Sequence, residues 1–459
     1  MRQPPLSRRS LLAAAAVSAG AAPLPFAGGR GAFAQDATPA ADPETGVTAP
    51  AAGGAGTGSP AVMPATWDEL GIMKGFPPPA DKRVSKANWQ DGPWNRWAFQ
   101  HMREVFPTME VSRGDGPVVP LPENRMDLGA LPAGDTGMTV SEIFERGYCD
   151  AIVVLHEGEL VWERYWNGMN ESTRHLLMSV TKSFTGTLGG ILIDRGVLDP
   201  SRTIGEYLPE LKDSGFGDAT VRQAMDMEIA IEWSEKPAAV ADPDSPFRRY
   251  LTALGFRPTA EVGGAYAYLP TMAKVGEPGE AFDYVSPVTD MFGWLLEKVS
   301  GKPWAQLLSD EIFSKLGAEQ DGYVALGAEG KALSTGGLNL CARDLARFGQ
   351  MMLQNGRFNG HTIVPESFVE DVRFGGSPER FAVRHEAGQP NSNYRSFWWV
   401  NQLDGESFEG RGIHGQQVWV HHPLNLVVAR FSSYPVTNGP ELLETAAGLY
   451  AIAGAVAAR

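Results

Sequence analysis

The sequence predicts an α+β fold in which a central antiparallel β-sheet is flanked by helices and carries an inserted, mostly α-helical domain. Strand patterns occur near residue 155 and again near residue 420, whereas the stretch between them has mainly helical periodicity. Strands at both ends of a chain can form one sheet with the intervening helices packed beside it. Within a domain of residues 65–459, we therefore expect an α/β part at about 65–198 and 355–459 and a helical part at about 199–354.

Two strand pairs define the predicted sheet. The stretch "DAIVVLHEGELVWERYWNG" (150–168) is typical of a β-hairpin, because an apolar strand is followed by Glu157-Gly158 and then by an alternating strand. Near the other end, "QQVWVHHPLNLVVARFSS" predicts two more strands with a turn at 423–425. An Ala-rich helix at about 440–457 is expected to follow them.

Two long helices are predicted on either side of the helical part. The first begins at about Ser179 and ends at Gly196, and its apolar residues recur at the spacing of one helix face: Phe184, Leu188, Ile191 and Leu192. The second begins at Ser286-Pro287, which suit the N-cap and the first helical position, and ends at Gly301. Its predicted apolar face consists of Val288, Phe292, Leu295, Leu296 and Val299.

The first 34 residues are interpreted as an export signal. An arginine pair, Arg8-Arg9, precedes a mildly hydrophobic run, and Ala32-Phe33-Ala34 fits a cleavage site. This order is typical of twin-arginine export, which predicts cleavage after Ala34 and a periplasmic or secreted protein. Residues 35–64 are rich in Ala, Pro, Gly and Thr and predict a disordered linker. Order should begin near Trp67, and the aromatic stretch 88–108 should pack onto the main domain.

Charge and cysteine content limit the partners and the redox chemistry of the chain. A net charge of −15 disfavours nucleic acid as a partner. The sequence contains no stretch of eighteen uninterrupted apolar residues, so a membrane-spanning helix is not expected. The two cysteines, Cys149 and Cys341, are interpreted as buried small apolar residues. The sequence leaves open whether they are bridged, and it gives no oligomeric state.

Ser179 and Lys182 are the candidate nucleophile and base. A serine hydroxyl needs a base within hydrogen-bond reach, and side chains at i and i+3 lie on one helix face. Burial can lower the pKa of a lysine enough for it to accept a proton. The same spacing recurs at Thr271 and Lys274, but Pro270 and Pro278 flank that copy, so no helix begins there. The context therefore favours Ser179, whose backbone N–H at a helix start could also stabilise an oxyanion.

Several stretches together resemble a known superfamily. "SVTKSFTGTLGGILIDRG", the hairpin before it and "ATVRQAMDM" after it resemble the serine β-lactamases and penicillin-recognising proteins, whose class C-like branch also contains esterases and D-amino-acid peptidases. Three stretches resemble the 6-aminohexanoate-dimer hydrolases, which cleave nylon oligomers: "GFPPPADKRVSKANWQDGPWNRWAFQHMREVFPT", "GGLNLCARDLARFGQMMLQNGRFNGHTIVP" and "GRGIHGQQVWVHHPLNLVV". The resemblance covers roughly residues 67–435 and implies a β-lactamase/DD-peptidase-like fold.

The resemblance also implies a tyrosine proton relay. Members of the superfamily carry it in a Tyr-x-Asn or Tyr-x-Ser element, which "FDYVSPVTDMFGWLLEKVSG" matches at Tyr284. Taken alone, such a tyrosine is more often a core residue whose hydroxyl caps a loop. Ser286 is the matching substrate-binding residue, and it stands where class C β-lactamases carry asparagine. This difference argues against binding of a β-lactam side-chain amide.

The third element of the superfamily is a strand that supplies an oxyanion donor. The resemblance assigns this donor to the backbone N–H of Ile413, beside that of Ser179, with Gln417 as the fallback. His414 and Gly415 are assigned to substrate binding, although His414 could equally satisfy a carbonyl at the strand edge. No Lys-Thr-Gly motif is present, so the lysine that would bind an antibiotic carboxylate is missing.

The predicted function is hydrolysis of a small-molecule amide or ester through an acyl-enzyme, without a metal or another cofactor. No His-Glu-x-x-His or Cys-x-x-Cys spacing occurs, and His421-His422 would point to opposite faces of a strand. The Gly-x-Ser-x-Gly motif of α/β-hydrolases is also absent. The alternatives on the same fold are a carboxylesterase, a D-amino-acid peptidase and a β-lactamase. A penicillin-binding or sensor protein that does not turn over is the alternative from another functional class.

Overall fold

The computed structural model describes residues 63–256, 263–384, 392–401, 407–437 and 439–459. The predicted export signal and almost all of the predicted linker fall in residues 1–62, outside the described residues. The strands are Thr108–Val111 (β1), Cys149–His156 (β2), Glu159–Tyr165 (β3), His175–Leu176 (β4), Gly322–Ala325 (β5), Leu338–Leu340 (β6), Arg357–Phe358 (β7), His361–Thr362 (β8), Ser392–Arg395 (β9), Trp398–Asn401 (β10), Ser407–Gly412 (β11), Gln416–His421 (β12) and Leu426–Ser432 (β13). The helices are Asn95–Ala98 (α1), Met102–Val105 (α2), Val140–Arg146 (α3), Val180–Asp194 (α4), Ile204–Tyr207 (α5), Val221–Met225 (α6), Pro237–Ala241 (α7), Pro246–Ala253 (α8), Ala265–Tyr268 (α9), Ser286–Ser300 (α10), Trp304–Glu311 (α11), Ala342–Leu353 (α12), Glu366–Phe374 (α13), Pro378–Arg384 (α14) and Glu441–Ala457 (α15).

The main sheet is antiparallel and joins the two ends of the domain. In the described residues its strand order is β3-β2-β13-β12-β11-β10-β9, so β2 from the first predicted pair lies beside β13 from the last. Both predicted hairpins are confirmed. Glu157 and Gly158 both have positive φ, 53° and 83°, which is the type I′ geometry that matches the twist of two antiparallel strands. The predicted α+β fold is confirmed.

A second, smaller sheet has the order β1-β5-β6-β4 within the described residues. Two of its strands, β5 and β6, lie in the stretch that the sequence predicts to be mostly helical. They have four and three residues, which is too short for an alternating pattern to stand out from the surrounding helices. This sheet matters for the site because β4 ends three residues before Ser179, and its pairing with β6 fixes the chain there.

The two faces of the main sheet pack against different helices. Helices α4 and α12 contact one face, and α3 packs with α15 over the other. The aromatic stretch 88–108 packs onto the larger core, as predicted, with Trp89, Trp97, Phe99 and Phe106 buried.

Both cysteines are free and buried, in agreement with their apolar interpretation. Among the described residues, no helix combines the length and the apolar character that a bilayer span requires.

The two long helices lie close to their predicted bounds. Helix α4 is preceded by Ser179 as its N-cap and is buried along almost its whole length, including the predicted apolar face. Helix α10 begins at Ser286 with Val285 as the N-cap, one residue earlier than predicted, and Gly301 ends it in the left-handed conformation at φ 69°. A central buried helix gives a side chain at its N-terminus a fixed position, which is where Ser179 lies.

Candidate active site

Every site residue that the sequence predicts lines one cavity of about 620 Å³. It opens between the N-terminus of α4, the loop before α10 and the end of β11. The predicted residues that line it are Ser179, Lys182, Tyr284, Ser286, Ile413, His414, Gly415 and the fallback Gln417. Its volume lies in the range of small-molecule sites, and much of the remaining lining is apolar.

Lys182 contacts the hydroxyl of Ser179. Its Nζ lies 2.8 Å from Ser179 Oγ and 2.8 Å from the backbone oxygen of Thr335. Burial lowers the pKa of Lys182 to about 8, against the opposing charges of Glu235 and Asp290. A neutral amine in this position donates to the Thr335 carbonyl and keeps its lone pair for the hydroxyl proton of Ser179. The geometry therefore suits transfer of that proton to Lys182.

A buried carboxyl group holds the segment that carries the Thr335 carbonyl. Asp290 on α10 accepts hydrogen bonds from the Thr335 N–H at 2.9 Å and the Ser334 hydroxyl at 3.0 Å, and Tyr250 also donates to it. Burial raises the pKa of Asp290, and the hydrogen bonds from these three donors act in the opposite direction, because they favour the ionised carboxylate. Sequence reasoning missed Asp290 and Thr335, because neither belongs to a recognisable motif and Thr335 is 153 residues from the lysine it contacts.

Tyr284 lies over the Ser179–Lys182 pair. Its ring centroid is 5.3 Å from Lys182 Nζ, and the ring stacks on Trp399 with centroids 5.4 Å apart and an interplanar angle of 20°. Removal from solvent raises the pKa of Tyr284 well above its usual range, while a hydrogen bond with Ser179 and the charge of Arg411 act in the opposite direction. The phenol is therefore protonated at neutral pH and can pass a proton between Ser179 and a departing group.

The end of β11 approaches the segment before Ser179 closely. A Cβ atom at Gly412 would lie 2.6 Å from the backbone oxygen of Leu177 and 2.9 Å from Met178 Cβ, so glycine is required there. Ile413 follows directly. Within the described residues, the N–H groups of Ser179 and Ile413 donate no hydrogen bond. Two such donors at the wall of one cavity are suited to a developing oxyanion.

The remaining predicted residues shape the wall rather than the reacting centre. His414 donates from Nδ1 to the Tyr434 carbonyl at 2.7 Å, and burial lowers its pKa to about 4, so the ring is neutral. Of the two alternatives for His414, the carbonyl contact is therefore present, and the residue also borders the cavity. Gly415 has φ 92°, and a side chain there would collide with Tyr434. Gln417 donates to Glu409.

The backbone of Ser286 is held from both sides. Its N–H donates to Glu235 and its carbonyl accepts from the Thr335 hydroxyl at 3.1 Å.

Among the described residues, no group of three or more His, Cys, Asp or Glu side chains is arranged to hold a metal ion.

Comparison with known proteins identifies relatives that match most of the chain. Residues 145–452, more than half of the chain, match the family described as Beta-lactamase. A protein of Paenarthrobacter ureafaciens named 6-aminohexanoate-dimer hydrolase is 35% identical over 363 residues, which are 78% of this chain and 91% of that protein.

Two solved structures show the same fold. A structure from Bacillus anthracis, described as a candidate 6-aminohexanoate-dimer hydrolase, matches with a TM-score of 0.72 and 30% identity over 80% of this chain and 95% of that one. A penicillin-binding protein homologue from Caulobacter crescentus matches with a TM-score of 0.52 and 16% identity over 73% of this chain and 100% of that one, and at that identity shows the fold alone. The chain therefore belongs to the beta-lactamase family and is a serine hydrolase of that family.

Proposed function

We propose that the protein hydrolyses an amide or ester bond through an acyl-enzyme on Ser179, with Lys182 as the base and Tyr284 as the proton relay. The observation that carries the proposal is the 2.8 Å contact between Lys182 Nζ and Ser179 Oγ. It is supported by the pKa of Lys182, which burial lowers to about 8, and by the second contact of Nζ with the Thr335 carbonyl. Without such a neighbour a serine hydroxyl is a weak nucleophile.

In the proposed acylation, Ser179 Oγ attacks the substrate carbonyl as its proton passes to Lys182. The tetrahedral oxygen accepts hydrogen bonds from the N–H groups of Ser179 and Ile413. Tyr284 then donates its phenolic proton to the leaving nitrogen or oxygen, the bond to that atom breaks, and Lys182 returns a proton to the phenolate. Removing one oxyanion donor typically slows such a reaction by about 10²–10³.

Deacylation repeats these steps with water. Water attacks the acyl carbon while the Tyr284 hydroxyl accepts a proton from it and donates its own proton to Lys182, and Ser179 Oγ leaves with the proton that Lys182 returns. Acylation and deacylation both use Lys182 and Tyr284, so the loss of either side chain should lower the rates of both steps.

A linear amide is the substrate class that the comparisons support best. The relative of Paenarthrobacter ureafaciens, which is 35% identical, is named for hydrolysis of the 6-aminohexanoate dimer. The apolar residues of the cavity suit an extended hydrocarbon chain. A β-lactam is less well supported, because the sequence has no Lys-Thr-Gly motif and Ser286 replaces the asparagine of class C β-lactamases.

A substrate panel tests the proposal. Steady-state rates would be measured for a linear amide oligomer, a p-nitrophenyl ester and a chromogenic cephalosporin, with the Ser179→Ala variant as the control. We expect turnover of the amide and the ester that depends on Ser179. A single burst with no steady state would instead indicate a penicillin-binding protein that does not turn over, and turnover by Ser179→Ala would refute the assignment.

We also propose that the protein is exported through the twin-arginine route, on the strength of Arg8-Arg9 and the Ala32-Phe33-Ala34 cleavage site. N-terminal sequencing of protein recovered from a periplasmic extract should find Gln35 as the first residue. Recovery of full-length protein only from the cytoplasm would contradict the proposal, and Arg8→Lys/Arg9→Lys should prevent processing.

A further inference from the structure

One wall of the cavity is an apolar helix face with a single charged residue. Phe247 and Leu251 on α8 and Leu254, the C-cap residue of that helix, are spaced at i, i+4 and i+7, and all three border the cavity. Arg248 lies beside Phe247, three residues before Leu251, and borders the same space. The next residue, Arg249, is exposed and does not line the cavity.

The described lining of the cavity has more positive than negative charge, although the chain carries −15 overall. Its cations are Lys182, Arg248, Arg411 and Arg430, and its acids are Asp91 and Glu235. Two of the arginines are already engaged: Arg411 donates to Glu409 at 2.7 Å, and Arg430, 3% exposed, donates to Thr445 at 2.8 Å. A charged lining of this sign favours an anionic ligand.

Arg248 differs from the other three cations in that its side chain has no hydrogen-bond or ion-pair partner within the described part of the chain. Lys182 contacts Ser179 and Thr335, whereas the guanidinium of Arg248 forms no ion pair within 4.0 Å and no side-chain hydrogen bond with any described residue. The residue is half-buried among apolar side chains. A guanidinium in partly apolar surroundings gains most from a carboxylate, which its fork of N–H groups can bind through two parallel hydrogen bonds.

We propose that the substrate carries a carboxylate at the end of an apolar chain and that Arg248 binds this carboxylate. The inference rests on the proposed function and adds the charge of the substrate to it. The reacting carbonyl lies at Ser179, the chain follows the apolar face of α8, and the carboxylate reaches Arg248. Arg248 is thus a specificity-determining residue outside the reacting centre.

Matched substrates test the proposal. The p-nitrophenyl monoester of suberic acid ends in a free carboxylate. It would be compared with the analogue in which a neutral carboxamide replaces that carboxylate, and with the p-nitrophenyl ester of ω-amino-octanoic acid, which ends in an ammonium group. A second pair, hexanoyl amides of 6-aminohexanoic acid and of its carboxamide, places the carboxylate on the leaving half. In one of the two pairs, kcat/KM should favour the carboxylate by about tenfold or more, the size of a charge-assisted contact.

Three variants separate a specific contact from a general effect of charge. Arg248→Gln should reduce the carboxylate preference to about parity, and Arg248→Glu should reverse it towards the ammonium substrate. Arg249→Gln, one residue along the same helix and exposed, should retain the preference.

Three outcomes would overturn the proposal. The first is a wild-type enzyme that prefers the carboxylate substrate in neither pair, and the second is a carboxylate preference that survives Arg248→Gln. The third is a wild-type preference for the ammonium substrate, which would indicate Glu235 as the charged residue that selects substrate. Each of these results leaves Ser179-dependent turnover of the neutral substrates intact, so failure of this inference is distinguishable from failure of the proposed function.

Discussion

Glu235 accepts the backbone N–H of Ser286 at 3.1 Å, so a carboxylate from the helical part is tied to the first residue of α10. The same oxygen accepts the indole N–H of Trp233 at 3.0 Å. Two donors hold the carboxylate at the cavity wall, where its charge raises the pKa of Lys182 against the effect of burial. Burial has the largest effect on the pKa of Lys182, and Glu235 partly offsets it without being required to touch the substrate.

Replacing Glu235 by glutamine should move the acid limb of the pH–rate profile to lower pH. A glutamine oxygen can still accept both N–H groups, but without the negative charge the neutral form of Lys182 is favoured and its pKa falls. We expect a shift of about half a pH unit or more in kcat/KM, measured between pH 5 and 10. Glu232→Gln, an exposed acid three residues away, is the control and should leave the profile unchanged. An unshifted limb in Glu235→Gln would contradict the assignment of that limb to Lys182.

The activity of the wild-type protein should increase with pH until about pH 8. Burial lowers the pKa of Lys182 to about 8, so the neutral amine that the proposed acylation needs becomes the major form only above that value. Below it, log kcat/KM should rise with a slope of about one per pH unit. A flat profile between pH 6 and 9 would show that no group with this pKa controls the reaction.

The same pKa shift predicts a pH-dependent stability. Between pH 8 and the ordinary lysine pKa of 10.5, the unfolded chain holds a proton that folded Lys182 has released, so the free energy of unfolding rises with pH. The full destabilisation is present below about pH 8 and amounts to about 3 kcal/mol. Lys182→Met should therefore stabilise the protein at pH 7 and have little effect near pH 11. Urea unfolding at the two values tests this, and equal effects at both would contradict it.

Tyr284→Phe should abolish most of the turnover without disturbing the site. Phenylalanine keeps the ring that stacks on Trp399 and removes only the hydroxyl. We expect kcat to fall by about 10²–10⁴, with KM changed little and the melting temperature unchanged, because the lost group transfers protons rather than binding substrate. Tyr165→Phe, at a tyrosine that hydrogen-bonds Glu163 outside the cavity, provides the control. An active Tyr284→Phe variant would remove the tyrosine from the mechanism.

Gly412→Ala should weaken the proposed oxyanion site through a steric effect. The added Cβ would lie 2.6 Å from the Leu177 carbonyl oxygen, so the strand must move away from Ser179 and take the Ile413 N–H with it. We expect kcat to fall by about 10² or more, as when one oxyanion donor is lost. Gly454→Ala is the matched control. The residue is helical, and apart from its chain neighbours and the nearby backbone of its own helix, no atom of a described residue lies within 4 Å of its Cβ position, so the change should stabilise the protein slightly. Equal activity of the two variants would contradict the close-approach argument.

The sequence predicted those features that follow from local spacing. The pairing of Ser179 with Lys182 follows from one helical turn, and the hairpins follow from alternation and from the turn at Glu157. Tyr284 required the resemblance to a family, because a single tyrosine before a helix has no distinctive pattern. The location of all the predicted site residues around one cavity could not be read from spacing alone.

The contacts that the sequence did not predict join distant segments. The carbonyl that receives Lys182 belongs to Thr335, and Asp290 holds that segment from another helix. Strands β5 and β6 were also missed, since three or four residues are too few to show a period. These contacts depend on tertiary packing, which a pattern in one segment does not encode.

The most direct test of the account is mass spectrometry of the protein after reaction with a fluorophosphonate probe, with peptide mapping of the adduct. We expect a single adduct on Ser179, its absence in Ser179→Ala, and normal labelling of Ser172→Ala, an exposed serine seven residues earlier. Lys182→Met should be labelled far more slowly than the wild type. An adduct on another residue, or an unmodified Ser179 in an enzyme that the probe has inactivated, would contradict the assignment of Ser179 as the nucleophile.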